Sequence, residues 1–223
     1  MKVMLLAAGD GHRMRPLTDN LPKPLLKAGN STLIEKWIDT FTDSGCSEFV
    51  INTRHLGDML VNTLGNGQDR GISIAYSQES CRIGTGGGIR KALPLLGDDD
   101  FVVVSTDTAC DYDVTGLPDP LPEGVLGHLL MVDNPEHHRG GDFALNADGK
   151  LIAAGDCLTY AGIGVFSPAL FAEAPEGAFE LRLLMDAAIA RGRLTGEYHD
   201  GFWLDVGTVD RYEALKSYYA GTL

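Results

Sequence analysis

The stretch Val3-Met4-Leu5-Leu6-Ala7-Ala8-Gly9-Asp10-Gly11-His12-Arg13-Met14-Arg15-Pro16-Leu17-Thr18 decides the fold. Val3 to Ala7 is apolar at every position. A run without polar alternation suits a central strand of a parallel sheet, because both of its faces are covered. The chain then enters a loop, Gly9 to Pro24, rich in glycine, proline and basic residues. Outward from this point, apolar runs alternate with amphipathic stretches, the pattern of an α/β fold with a largely parallel sheet.

Leu33, Ile34, Trp37, Ile38 and Phe41 share one helical face, with Ser31 or Asn30 as the expected cap and Gly45 as the stop. Glu48 to Thr53 reads as strand, Leu56 to Leu64 as helix, Ile72 to Tyr76 as strand and Gly87 to Leu96 as helix. Phe101 to Val104 is a second fully apolar strand, and it runs into Ser105-Thr106-Asp107. A carboxylate just past a buried strand lies where open α/β sheets bind ligands. The expected fold is therefore a Rossmann-like, doubly wound mixed sheet. Residues 1–223 are taken as one domain, with a first half over about 1–110 and a second over about 111–223.

The second half is less regular. Gly127 to Val132 and Ala161 to Phe166 read as strands. Phe143 to Leu145 and Leu151 to Ala154 read as a small inserted β hairpin across Asp148-Gly149. Pro168 to Ala172 is a short helix, Leu181 to Ala190 a longer one, Glu197 to Val206 is strand-rich, and Val209 to Tyr219 is a closing helix.

Composition narrows the function. Of 223 residues, 44% are hydrophobic and 22% charged, which is ordinary for a globular protein. Lys plus Arg number 18 and Asp plus Glu 31, a formal net charge of −13. That surface repels nucleic acid and anionic membranes at long range, so neither is an expected partner. A small anionic substrate needs a local cluster of Arg, Lys and Mg²⁺ to override the field. Cys46, Cys81, Cys110 and Cys157 are spread apart without a C-x-x-C pair, which argues against zinc or redox chemistry and for a reducing cytoplasm. The opening apolar stretch is too short for a signal or membrane segment.

Four features carry chemistry. In the opening loop, Ala7, Ala8 and Gly9 let backbone approach a flat ligand closely, Gly9 and Gly11 permit an anion-cradling turn, and Arg13 and Arg15 offer forked donors to phosphate oxygens. Pro22-Lys23-Pro24 restricts the backbone around a lysine and aims its ammonium, which suits a phosphate that gains charge during transfer. Thr85-Gly86-Gly87-Gly88 opens a helix where backbone can contact a ligand. Asp107 and Asp205, the latter in Trp203-Leu204-Asp205-Val206-Gly207-Thr208, form a separated carboxylate pair of the kind Mg²⁺ accepts alongside phosphate oxygens and water.

In this order, the four features resemble the sugar-1-phosphate nucleotidyltransferase family, the sugar-nucleotide pyrophosphorylases, whose fold is of the nucleotide-diphospho-sugar transferase, GT-A-like type. Within it, Val132-Asp133-Asn134-Pro135-Glu136-His137-His138, Gly141-Asp142-Phe143 and Lys91-Ala92-Leu93-Pro94-Leu95-Leu96 are similar to the short bacterial N-acetylmuramate α-1-phosphate uridylyltransferases of cell-wall sugar recycling. The resemblance implies that Leu6, Ala8, Gly9 and Gly86 contact the nucleotide, that Gly11 and Arg13 hold the departing phosphates, and that Lys23 meets the α-phosphate. It implies Mg²⁺ on Asp107 and Asp205, catalysis by Arg13, Lys23 and Asp107, and sugar-phosphate contacts from Gly141, Asp142, Glu180 and Arg182. The implied substrates are a nucleoside triphosphate (UTP on the closer resemblance) and a sugar-1-phosphate, in a monomer or weak homodimer.

Three positions depart from the family pattern. Gly84 stands where a glutamate commonly precedes the glycines, Ser105-Thr106-Asp107 replaces N-x-D or G-D, and Phe179-Glu180 replaces phenylalanine-lysine. Arg182 follows two residues on, and a helix would point it elsewhere. The nucleotide half is thus intact and the acceptor half altered. The alternatives are a mannose- or glucose-1-phosphate nucleotidyltransferase, or a nucleotide-binding regulatory protein with an impaired sugar site. His128, His137, His138 and His199 show no metal spacing, and the adjacent pair reads as loop histidines; Asp98-Asp99-Asp100 reads as a solvated turn, and Asp111 and Asp113 as solvated.

Overall fold

The computed structural model describes residues 1–221. In chain order the strands are β1 (Lys2–Leu6), β2 (Lys27–Ala28), β3 (Ser31–Thr32), β4 (Glu48–Thr53), β5 (Ser73–Gln78), β6 (Phe101–Ser105), β7 (Thr108–Cys110), β8 (Gly127–Val132), β9 (Phe143–Leu145), β10 (Leu151–Ile152), β11 (Cys157–Phe166), β12 (Leu194–Tyr198) and β13 (Trp203–Asp205). The helices are α1 (Leu33–Asp43), α2 (Gly57–Leu64), α3 (Gly84–Leu96), α4 (Leu181–Ala190) and α5 (Val209–Tyr219).

The main sheet runs β10-β9-β11-β6-β1-β4-β5, with β8 alongside β11 and β12 alongside β8. β1 pairs in parallel with both β4 and β6, and β4 with β5. β11 returns antiparallel to β6, which makes the sheet mixed as the sequence predicts. The hairpin β9–β10 adds to the end of β11. β7 and β13 form a separate antiparallel ribbon, with Asp205 opposite Thr108.

The apolar runs have a direct reading in the packing. Along β1, Val3 and Leu5 face one core with α1 and α2, while Met4 faces a second core with α3 and α4. Along β6, Val102 and Val104 join the first core and Phe101 and Val103 the second. A strand covered on both faces cannot alternate, which is why these segments are apolar throughout. A third, smaller core ties Met14 of the opening loop to Leu26, Val206 and the buried face of α5. The Tyr212 hydroxyl adds a 2.6 Å hydrogen bond to the Lys27 carbonyl. The closing helix therefore clamps the loop that follows β1.

Two local expectations are corrected. The cap of α1 is Thr32, one residue beyond the expected Ser31 or Asn30. Its hydroxyl accepts from the Glu35 N–H, and the Glu35 side chain accepts from the Thr32 N–H at 3.0 Å. The Thr-x-x-Glu spacing is a capping box, which outweighs the earlier small polar residues. Asp100 is not simply solvated, because its carboxylate accepts the Leu121 N–H at 2.9 Å. Replacing Thr32 by Ala is expected to cost about 1 kcal/mol of unfolding free energy, whereas Ser31→Ala should stay within about 0.5 kcal/mol. Urea midpoints of the two variants check this; equal midpoints would remove the cap from Thr32.

Candidate active site

The carboxyl ends of β1, β4, β5 and β6 open onto a cavity of about 490 Å³, lined among others by Leu6 to Met14, Lys23, Asn52, Arg54, Glu79, Arg82, Thr85 and Asp107. A second cavity of about 510 Å³ adjoins it, lined by Asp142, Phe143, Tyr160, Arg182 and Trp203 among others. Thr85, Ser105, Asp107 and Glu180 belong to both walls. The two spaces therefore meet at the end of β6.

The opening loop lines the first cavity from Leu6 to Met14. Gly11 adopts φ 64°, in the left-handed region that glycine tolerates. A Cβ on Gly9 would meet nothing within 4 Å, so that position leaves its side of the cavity open. Arg13 lines the cavity and makes no ion pair among the described residues; Arg15 instead pairs with Asp19 at 3.3 Å, off the wall. Lys23, flanked by its prolines, begins a short 3-10 turn, and its Nζ lies 2.6 Å from Asp107 Oδ2. The lysine is largely buried and the carboxylate is 43% exposed, so the pair faces open space through Asp107.

Gly86 and Gly141 are placed otherwise. Gly86 is off both walls: a Cβ there would lie 2.3 Å from the Phe179 ring, so this glycine lets α3 approach the start of α4. Gly84 and Thr85, two positions and one position earlier, line the cavity instead. Gly141 holds φ 61° in the turn that delivers Asp142 and is also off both walls. Asp142 lines the second cavity, accepting the Tyr160 N–H at 2.9 Å and facing Arg182 at 3.4 Å and His138 at 3.3 Å. Burial first, and then the Asp142 charge, hold the Tyr160 phenol neutral well above its ordinary range.

Glu180 and Arg182 share the second wall, contrary to the expected divergence. The reason is that Glu180 is the extended residue before α4, with ψ 143°, so helical spacing does not separate the two. The Glu180 carboxylate reaches across to the Thr85 N–H at 3.2 Å and hydroxyl at 3.3 Å. Arg182 stacks over Phe143 at 4.1 Å and binds Asp186 at 2.7 Å. Among the described residues it is the one cation on that wall.

Asp107 and Asp205 differ in how they could meet a hard divalent cation. Asp107 fits, with one oxygen on Lys23 and exposure toward both cavities. Asp205 sits one strand over, where the Val206 N–H donates to the Asp107 carbonyl at 2.7 Å. Its Oδ2 lies 3.1 Å from Arg211, and its Oδ1 is buried without a well-directed donor, although His137 Nε2 approaches to 3.0 Å. A buried carboxylate oxygen without a directed hydrogen bond calls for a partner, and a bound cation is one that can supply it. His137 and His138, in the short turn between β8 and β9, thus face Asp205 and Asp142.

Sequence reading passes over Asn52, Arg54, Glu79, Arg82 and Tyr160. Asn52, buried, accepts the Ala7 N–H at 2.8 Å and donates to Glu79 at 2.7 Å. Arg54 pairs with Asp10 at 2.5 Å. Tyr160 lies within β11, but the other four stand at or just past the carboxyl ends of β4 and β5, so the strand-end rule that singles out Asp107 also points to them. α3 approaches the Asn52–Glu79 pair so closely that a Cβ on Gly88 would lie 2.7 Å from the carboxylate. Burial pushes the Glu79 carboxyl up, against the opposing Asn52 hydrogen bond and the Arg54 and Lys91 charges.

The profile of the nucleotidyl transferase family matches residues 2–119. The chain is 41% identical to an N-acetylmuramate α-1-phosphate uridylyltransferase of Neisseria meningitidis serogroup B, over 97% of each chain. It is 32% identical to an enzyme of the same name from Caulobacter vibrioides, over 92% of this chain and 90% of that one. A mannose-1-phosphate guanyltransferase of Aspergillus oryzae is 28% identical over 93% of this chain and 61% of its own length. Among solved structures, one described as a putative glucose-1-phosphate thymidylyltransferase of Bacillus anthracis superposes with TM-score 0.84 at 23% identity, over 98% and 95% of the two chains. That likeness supports the fold.

Because the folded Glu79 carboxyl is raised above its ordinary 4.5, the folded state holds its proton longer than the unfolded one. Its contribution to stability is complete below about 4.5 and is lost as pH rises through the folded value. Glu79→Gln is expected to flatten that decline in a series of urea titrations. An unchanged profile would place the pH dependence elsewhere.

Proposed function

We propose, given that the chain belongs to the nucleotidyl transferase family, that it joins UTP to N-acetylmuramate α-1-phosphate, forming UDP-N-acetylmuramate and pyrophosphate. The observation that carries this reading is the shared wall of the two cavities at Asp107. A triphosphate in the first and a sugar phosphate in the second would meet beside Lys23.

In this reading a phosphate oxygen of the sugar attacks the α-phosphorus, and the bond to the β-phosphate oxygen breaks. The Lys23 ammonium meets charge growing on the α-phosphate, while Arg13 and the Gly11 turn receive the departing pyrophosphate. Leu6, Ala8 and Gly9 form the wall for base and ribose, and Asn52 fixes that wall through the Ala7 N–H. Arg182 meets the anionic acceptor, with Asp142 and Glu180 toward its hydroxyls. Asp107 and Asp205 would hold Mg²⁺, which when bound neutralises triphosphate charge. No helix among the described residues is long and apolar enough to cross a membrane, and four free thiols suit a reducing compartment, so the cytoplasm is the location this reading takes.

Pyrophosphate release, screened over nucleoside triphosphates and sugar-1-phosphates, tests the reading. The expected best pair is UTP with N-acetylmuramate α-1-phosphate. Faster turnover of GTP with mannose 1-phosphate would overturn base and sugar together, and tight nucleotide binding without release on any sugar would make the chain a binding protein. Lys23→Ala should lower kcat by about 10²-fold or more, the scale of losing one charge-stabilising donor. Arg182→Ala should raise KM for the sugar phosphate by about tenfold, leaving KM for the nucleotide unchanged. A parallel rise for both substrates would remove Arg182 from the acceptor cavity.

A further inference from the structure

Three donors of different chemistry meet at the end of the β7–β13 ribbon, off the walls of both cavities. The Cys110 sulfur, an Asp111 carboxylate oxygen and a His199 ring nitrogen all lie within 4.8 Å of one another. His199 Nε2 is 2.8 Å from Asp111 Oδ1, across 88 residues of sequence. That separation is why spacing along the chain does not reveal the group.

Each donor is held by its backbone. Cys110 ends β7 opposite Trp203, and the Tyr112 N–H is directed at its sulfur. The Asp111 N–H donates to the Phe202 carbonyl at 3.1 Å, and the His199 N–H to the Met131 carbonyl at 2.8 Å. The imidazole packs edge-on to Tyr112 at 5.5 Å. Gly201 keeps the space clear, since a Cβ there would lie 2.4 Å from Asp111 Oδ1 and from His199 Cε1. The imidazole is 14% exposed and the carboxylate 50%, which leaves a solvent path on the aspartate side.

We infer that Cys110, Asp111 and His199 form a site for a zinc-type divalent transition cation, with water as the fourth ligand. One sulfur, one nitrogen and one oxygen donor suit that class, with bonds of about 2.3 Å to sulfur and 2.0–2.2 Å to the others. In a tetrahedron those bonds set the donors roughly 3.3–3.6 Å apart, so donors up to 4.8 Å apart close by up to about 1.2 Å on the ion. The aspartate–histidine hydrogen bond opens, and the thiol gives up its proton as the metal enters. Mg²⁺ is poorly matched here, because it demands oxygen donors in an octahedron. The site would tie the segment before β13 to the end of β7. It would thereby brace the ribbon beside Asp107 and Asp205 from its far end. The inference is independent of the proposed substrates.

Cobalt titration of the full chain under reducing conditions tests it. Co²⁺ is expected to bind one equivalent with a strong near-ultraviolet thiolate-to-metal band and visible bands of four-coordinate metal. Zn²⁺ should displace it and excess Mg²⁺ should not. Cys110→Ser should abolish the near-ultraviolet band, and His199→Ala should weaken cobalt binding by at least about tenfold. Cys81→Ser and Asp107→Ala should keep the band, since the exposed thiol and the candidate active-site carboxylate lie outside the cluster. Circular dichroism confirms that each variant is folded, and His199→Ala gives an independent reading if Cys110→Ser is not. A band that survives Cys110→Ser, vanishes with Asp107→Ala or yields to Mg²⁺ would overturn the site, as would absence of cobalt binding.

Discussion

The end of β1 is where the backbone leaves the ladder, and its last groups are bonded by side chains of both neighbours. The Leu6 carbonyl accepts from the Thr106 hydroxyl at 2.7 Å, which fixes the exit of β6. The Ala7 N–H donates to the Asn52 carboxamide at 2.8 Å, which fixes the exit of β4. Buried backbone groups need such partners once the strand pairing stops. Satisfying them here sews three strand exits together; the opening loop and Asp107 depart from that seam, and Glu79, just past β5, joins it through Asn52. The first cavity is the space the seam leaves at the point where the sheet order reverses, as expected for a doubly wound sheet.

Charge within the cavity is arranged against the acidity of the whole. The chain carries −13, a poor field for a triphosphate. Screening limits that field to about 8 Å at physiological salt, so the local groups decide. Lys23 and Arg54 are each tied to a carboxylate, on Asp107 and Asp10, whereas Arg13 and Arg82 carry no ion pair among the described residues. The tied cations keep fixed positions and the free ones can move onto an arriving anion. On the proposed reading, that division would give positional accuracy near the bond that breaks and adaptability around the departing phosphates.

Most of the architecture is legible in the sequence because burial on both faces leaves a strong mark. The apolar runs Val3 to Ala7 and Phe101 to Val104 lie in β1 and β6, each between two helical layers. The opening loop, Lys23 and Asp107 are legible because their residue types are unusual at those positions, and the structure brings them to one cavity. Gly86 is less legible, because a glycine cluster signals close approach without saying to what; here the partner of that residue is Phe179. Asn52 and Glu79 escaped because one polar residue at the end of an apolar strand carries little signal until its partner, 27 residues away, is known. The pairing of His199 with Asp111 escaped for the same reason.

The departures at Gly84 and Glu180 look independent along the chain but are one feature in space. Gly84 has φ 72°, and a Cβ there would lie 2.4 Å from the Phe179 carbonyl oxygen and 3.1 Å from Glu180 Oε1. A side chain at 84 is therefore blocked while residues 179 and 180 keep this path. The N-cap of α3, Ile83, supplies no side-chain acceptor, and Glu180 accepts the Thr85 N–H in its place. A carboxylate at a helix N-terminus is favoured both by the hydrogen bond and by the helix dipole. The negative group on this wall is thus delivered from the residue before α4 instead of from the residue before Thr85. Counting position 180 as the loss of one phosphate donor treats it in isolation. With Arg182 on the same wall, the second cavity holds a rearranged set of charges, one cation beside Asp107, Asp142 and Glu180. On the proposed reading, such an arrangement would select among anionic acceptors by where the anion must sit relative to Arg182.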